Sequence, residues 1–361
     1  MTPEKRFPYI DGLKGLAILG VLANHWLRQF LVASVQDFAS PTFFRLLLGG
    51  QFGVSLFFLV SAFTLHRSLL SRQTEKNLIS KFYLRRFWRI VPLYLIAISL
   101  LLWKVSPHRR PDYWCCIFLL CSFRNHAHLF NENWSLIAEE SFYLLLPLLF
   151  LFKLNPKKLV FLLMGTLILR HTYLATSTDV FRGVFPLVHW YVFVLGILLS
   201  HLLPTLSNLL TRISAWKLRL VEGIFLVTAL IFAGRAEYGH GDLGQALLML
   251  GLFILASSPR TLSGKICRLA LMRRFGIACY SIYLFHKFLI LAALTPLQDL
   301  RALHGIVPTD YIFLASFPVF ALVTLALGTV VYYALERPIS QIPKSYSSYN
   351  SSIHRLARPI P

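Results

Sequence analysis

The chain has 361 residues, of which 56% are hydrophobic and only 14% charged, and its mean hydropathy is +0.62. A soluble domain carries roughly 25% charged residues, so an ordinary soluble protein is excluded and an all-α, polytopic integral membrane protein is expected. The formal charge of +21 would suggest nucleic acid in a soluble chain. Here it reads as the Lys and Arg that gather in cytoplasmic loops, and no nucleic-acid partner is expected.

Apolar runs near the ~20 residues that cross a bilayer fall at about 14–34, 46–66, 88–105, 134–153, 158–176, 184–204, 219–236, 241–258, 274–295 and 310–335. A shorter run, "YWCCIFLLCSF", occupies 113–123. With ten spans and a cytoplasmic N-terminus, the inner segments hold 24 Lys and Arg and the outer ones 10, with Lys14 and Lys287 inside helix ends. An eleventh span at 113–123 would invert every later loop and put the basic segment 260–274 outside, against the positive-inside bias. About ten transmembrane helices with both termini in the cytoplasm are therefore expected, and 113–123 becomes re-entrant or interfacial.

The opening "MTPEKRFPYIDG" has no small-residue cleavage site, so the first apolar run is expected to stay as an anchor. Residues 1–340 then form the membrane domain and 341–361 a polar cytoplasmic tail. Cys115, Cys116, Cys121, Cys267 and Cys279 lie in or near apolar runs without ligand spacing, so they read as buried thiols and no metal is expected.

Ionisable groups inside a membrane cost roughly 2.5–3.5 kcal/mol each at a helix centre, so each needs a reason. The first run, "YIDGLKGLAILGVLANHW", holds Asp11, Lys14, Asn24 and His25. Lys14 and His25 are eleven residues apart, close to three turns, which sets them on one stripe about 16 Å apart. His25 suits either a hydrogen bond to a neighbouring helix or general-base chemistry, with Asn24 adding donor and acceptor capacity beside it. In "KFYLRRFWRIVPLYL", Arg85 and Arg89 share a helix face and their forked guanidinium groups suit phosphate, whereas Arg86 reads as an orientation anchor.

Further along, "NWSLIAEESFYLLLP" sets Ser135 and Glu139 on one face, with Glu140 adjacent and Trp134 leading. "GIACYSIYLFHKF" carries Tyr280, Ser281, Tyr283 and His286, which serve packing or a site equally well. Glu336, in "YYALERPI", looks like an ordinary interfacial carboxylate.

These stretches, in this order, resemble the acyltransferase-3 family of membrane O-acyltransferases. The match comprises "DGLKGLAILGVLANH", "GVSLFFLVSAF" at 53–63, Arg85 and Arg89 with "RIVPLY" at 89–94, "WSLIAEESFY" at 134–143, "YSIYLFH" at 280–286 and the Glu-x-Pro at 336–338. Two positions depart from the family pattern: Lys14 stands where the family has Arg, keeping the charge but losing the bidentate fork, and Ala62 stands where it has Gly.

The resemblance implies transfer of an acyl group, usually acetyl, from coenzyme A to a hydroxyl of an extracytoplasmic carbohydrate such as lipopolysaccharide O-antigen or another surface glycan. It implies that Lys14, Arg85 and Arg89 hold the phosphates of acetyl-CoA on the inner side. His25 would deprotonate the acceptor or briefly carry the acyl group, with Glu139 orienting it. Asp11, Asn24, Trp134, Ser135, Tyr283 and His286 would contact substrate. The implied location is a bacterial inner membrane, with lipid as the remaining partner. The intramembrane charges also suit a transporter or flippase for a lipid-linked glycan or small anion, although no inverted repeat is visible. A structural subunit is the third class, and it would tolerate loss of His25.

Overall fold

A computed structural model of the chain describes residues 7–31, 52–104, 133–177, 185–235, 243–303 and 309–343, and each regular element among them is helical. That follows from the composition, because a backbone facing hydrocarbon must satisfy its own hydrogen bonds, as a helix does. The order is α1 (Pro8–Leu31), α2 (Phe52–Ser71), α3 (Leu78–Lys104), α4 (Asn133–Leu151) and α5 (Pro156–Thr176). A 3-10 turn, Pro186–His189, leads into α6 (Trp190–Arg212), followed by α7 (Ala215–Arg235) and α8 (Leu243–Ser257). Two short helices, α9 (Leu262–Arg268) and α10 (Ala270–Ile277), precede α11 (Cys279–Leu303) and α12 (Thr309–Val331). The last helix runs into a π turn at Tyr332–Glu336, where the Arg337 N–H reaches back five residues to the Tyr332 carbonyl.

Where they are described, the ten apolar runs fall mainly on these helices, although 274–295 is divided between α10 and α11. Among the described residues, five helices are long and apolar enough to cross a membrane, or up to seven if two bent pairs each count as one span. α1 falls outside that count, since Asp11, Lys14, Asn24 and His25 dilute its apolar run. The segment 113–123 and all but the first three residues of the expected tail lie outside the described residues. Cys267 and Cys279 are buried free thiols, and the other three cysteines also lie outside.

The basic segment 260–274, read from the sequence as a loop, is largely helical: α9 and the first part of α10 occupy it. α8 meets α9 at 75° and α10 meets α11 at 81°. Breaks of this kind expose backbone groups, and here side chains satisfy them. The buried Glu222 carboxylate accepts from the Leu262 and Ser263 N–H groups, both at 2.7 Å, and from the Ser263 hydroxyl at 2.6 Å. Thr261 caps α9 by accepting from the Gly264 N–H at 3.1 Å. Arg268 donates to the Ala256, Ser257 and Gly264 carbonyls. Each orphan group at the turn thereby gains a partner, which a low-dielectric site requires.

α1 is the central element and packs against α2, α8, α9, α10, α11 and α12. Its crossing with α9 and α10 is so close that only glycine fits. A Cβ on Gly12 would stand 1.8 Å from the Cys267 carbonyl oxygen, one on Gly15 2.0 Å from that of Met272, and one on Gly276 1.7 Å from that of Asp11. The two glycines of the "DGLKG" stretch are thus explained by backbone contact. On the other side, Gly196 of α6 packs against Ala62 of α2, where an added Cβ would lie 2.7 Å away. The Ala62 departure is accommodated because its neighbour is itself a glycine.

Candidate active site

The N-terminal half of α1, the length of α2, the start of α3, the face of α4 and the start of α11 surround a cavity of about 1370 Å³. One end is cationic. Lys14 of α1, Arg67 of α2, Arg72 beyond it, and Arg86 and Arg89 of α3 all line it. The middle and far end carry hydroxyls and a carboxylate: Ser61, Glu139, Tyr143, Ser135 and Tyr283. Phe57, Phe58 and Leu136 supply apolar wall between them. A second cavity of about 410 Å³ adjoins the cationic end, sharing Asp11, Lys14, Arg72, Arg86 and Arg89 and adding Arg85 and Glu336.

Glu139 sits one turn before Tyr143, so both project on one face of α4. Its carboxylate accepts from the Ser61 hydroxyl at 2.6 Å and from the Tyr143 hydroxyl. The Ser61 and Tyr143 hydroxyl oxygens also lie 2.8 Å apart. The Arg86 guanidinium lies over the Tyr143 ring, 5.8 Å from its centroid. The residue expected beside His25 was Glu139; the side chain bonded to His25 is instead His286.

That histidine pair joins α1 to α11. His25 Nδ1 and His286 Nε2 are 2.7 Å apart, and the rings meet edge to edge, with centroids 5.0 Å apart and a 15° interplanar angle. His286 Nδ1 lies 2.6 Å from the Tyr283 carbonyl oxygen one turn earlier. The Tyr283 hydroxyl bonds Ser135 Oγ at 2.7 Å across the end of the cavity, and its ring centroid is 5.9 Å from that of His286. Tyr283 therefore links the cavity to the pair behind it.

The other residues singled out in the sequence divide. Asp11, Lys14 and Arg89 line both cavities, and Arg85 lines the second. Asn24 is buried next to His25. Trp134 packs among aromatic rings, 4.7 Å from His189 and edge-on to Phe58 at 6.2 Å, and does not line the cavity. Arg86, read as a mere anchor, reaches both cavities. Glu336, read as ordinary, is 4% exposed and accepts from Ser281 Oγ at 2.6 Å. Ser61, Tyr143, Arg67, Arg72 and Glu75 were not singled out. The i,i+4 relation of Tyr143 to Glu139 is the signal that could have found one of them.

Glu75, in the turn between α2 and α3, is, like Asp11, an anion at the cationic end. It pairs with Lys81 at 3.2 Å and Arg85 at 3.5 Å. Partial desolvation pushes its carboxyl up, but the Lys81 hydrogen bond and the charges of Arg85, Lys81 and Arg72 outweigh this and hold it below the usual carboxylate range.

No solved structure matches the chain. It is 27% identical over 336 residues to the peptidoglycan O-acetyltransferase OatA of Listeria monocytogenes, covering 82% of this chain and 51% of the relative. It is 24% identical over 407 residues to the O-acetyltransferase OatA of Staphylococcus aureus, covering 100% of this chain and 63% of the relative. The chain thus spans between half and two thirds of the length of these curated relatives. A family profile described as an acyltransferase domain matches residues 7–333. With that match running from the start of α1 into the final π turn, the chain belongs to the acyltransferase-3 family.

Proposed function

We propose that the protein is an O-acetyltransferase of a bacterial cytoplasmic membrane, carrying acetyl from acetyl-CoA to a hydroxyl of an extracytoplasmic glycan. The observation that carries this reading is one continuous cavity lined both by five cations and by hydroxyls that include Ser61, Ser135, Tyr143 and Tyr283. Coenzyme A has the matching chemistry: a cluster of phosphates at one end, a long pantetheine arm, and the thioester at its tip. Lys14, Arg86 and Arg89 would hold the phosphates by charge-assisted hydrogen bonds, with Arg85 reaching them from the second cavity. The apolar stretch would cover the arm, and Glu139 would keep Ser61 and Tyr143 fixed along its path.

At the far end, His25 takes the proton of the acceptor hydroxyl as that oxygen bonds to the thioester carbonyl carbon. The resulting tetrahedral carbon collapses, the carbon–sulfur bond breaks, and the departing thiolate of coenzyme A takes the proton from His25. Tyr283 must move aside or hand the hydroxyl to the pair behind it. Peptidoglycan is the acceptor to test first, because the Listeria relative's name specifies it, and lipopolysaccharide O-antigen comes second.

The test uses labelled acetyl-CoA and native membranes from cells with and without the gene. The expected result is alkali-labile label on a surface glycan only when the gene is present. Equal label in both would overturn the proposal, and glycan translocation without label would favour the flippase.

A further inference from the structure

We infer that His286 is a positioning residue that sets the tautomer of His25, making His25 Nε2 the nitrogen that takes the acceptor proton. The inference rests on the proposed role of His25 as the base and adds which atom acts and what fixes it. The argument starts from a carbonyl. The Tyr283 carbonyl oxygen can only accept a hydrogen bond, so His286 Nδ1, 2.6 Å away, carries the hydrogen. A neutral imidazole has one N–H, so His286 Nε2 then presents a lone pair. That lone pair faces His25 Nδ1 at 2.7 Å, and the contact is a hydrogen bond only if His25 Nδ1 donates. A neutral His25 therefore has its basic nitrogen at Nε2.

The chain of assignment is rigid. The carbonyl belongs to the same helix as His286, one turn earlier, so it cannot swing away without breaking α11 locally. His286 is 1% exposed, so its ring is closely packed, and the 15° interplanar angle leaves the two imidazoles nearly coplanar and edge to edge, as an in-plane N–H···N bond requires. A proton arriving at Nε2 during catalysis leaves the Nδ1–H bond to His286 intact, so the ring does not have to rotate between turnovers. The arrangement does with a neutral imidazole what a buried carboxylate does for the histidine of a serine protease.

In a serine protease, losing the group that holds the tautomer lowers kcat by about 10⁴. A neutral acceptor holds the ring less strongly, so the loss expected here is roughly 10²-fold. The experiment compares His286→Leu with His286→Gln in native membranes, following label from acetyl-CoA onto glycan. Leucine removes the acceptor; glutamine places an amide oxygen near the position of the lost Nε2. The expected result is a loss of roughly 10²-fold in kcat for the leucine variant with the donor KM unchanged, and recovery to within about tenfold by glutamine. A purely structural bridge between α1 and α11 would instead lower thermal stability while leaving kcat of the folded enzyme intact, and that outcome would overturn the inference.

A second measurement does not depend on either variant folding. Nitrogen-15 shifts of labelled imidazoles in the wild-type protein should show a His25 ring protonated at Nδ1. A resting ring protonated at Nε2 overturns the inference. An active His25→Ala enzyme, by contrast, would sink the proposed role of His25 while leaving the tautomer assignment standing.

Discussion

The close approach of α10 to α1 at Gly276 gives a demanding test of how α1 is held. A methyl group on Gly276 would lie 1.7 Å from the Asp11 carbonyl oxygen, whereas real Cβ contacts essentially never fall below 3.0 Å. Gly276→Ala must therefore part α10 and α1 by about 1.3 Å, the difference between those distances. No flexible side chain can absorb it, because the opposing atom is backbone. Overpacking against side chains costs roughly 1–3 kcal/mol, so a loss at or above the upper end of that range is expected. The same displacement moves Lys14, one turn beyond Asp11, relative to Arg89. A misplacement of about 1 Å in a substrate-holding group can cost roughly 10² in rate. The assay pairs thermal unfolding in lipid nanodiscs with acetyl transfer in native membranes, and Gly165→Ala and Gly223→Ala serve as controls. Both control glycines have nothing within 4 Å of the added atom and should stay within about 0.5 kcal/mol of the parent. A Gly276→Ala protein with parental melting and activity would refute the argument that this crossing positions the site.

Arg89→Ala should weaken acetyl-CoA binding roughly 10- to 150-fold by calorimetry, the loss of one charge-assisted contact of about 1.5–3 kcal/mol; unchanged affinity would reduce Arg89 to an anchor. His25→Gln keeps a hydrogen-bonding amide but no group that takes a proton near neutral pH, so transfer should fall below about a tenth of the parental rate. A variant above that level would remove His25 as the base. Glu222→Ala should lower the melting temperature sharply, since it strands two N–H groups and a hydroxyl at the bend before α9, each costing about 1–3 kcal/mol; an unshifted melt would show that water replaces the carboxylate. Cysteines introduced at 108 or 126 should react with an impermeant reagent from outside and those at 76 or 265 should not. Labelling at 265 from outside would overturn the ten-span orientation.

Much of the scaffold was legible because its signals are local. Lys14 and His25 fall on one stripe of a single helix, and Arg85 and Arg89 on one face of another, so periodicity alone lines them up. The glycines of "DGLKG" were visible as a motif, but nothing in the sequence says that Gly276, far along the chain, meets Asp11. The same holds for the histidine pair, whose members are 261 residues apart. Arg86 was read as an orientation anchor; α3 passes between two cavities, so Arg86 lines both and its neighbour Arg85 lines the second. Glu139 was matched to His25 through the family resemblance. The actual partners, Ser61 and Tyr143, carry hydroxyls too common in apolar helices to draw notice. Hydropathy registered the apolar run after 274 but not the 81° bend between α10 and α11 inside it. The 75° bend between α8 and α9 was equally hidden, because it depends on long-range capping by Glu222 and Arg268.

α5 and α6 are neighbours in the chain and in space, yet only 11% of the α5 span is buried inside the protein against 72% for the span containing α6. Their tolerance of change should differ accordingly. Along α5, exchanging one oily side chain for another alters little but the acyl chains it brushes against, so evolutionary drift and laboratory shuffling should both run freely there. Along α6, the same exchange must be matched by a partner across the interface. The protein is therefore soft-edged and hard-centred, and detergent that strips its annular lipid should loosen the α5 side long before the cationic cavity is disturbed.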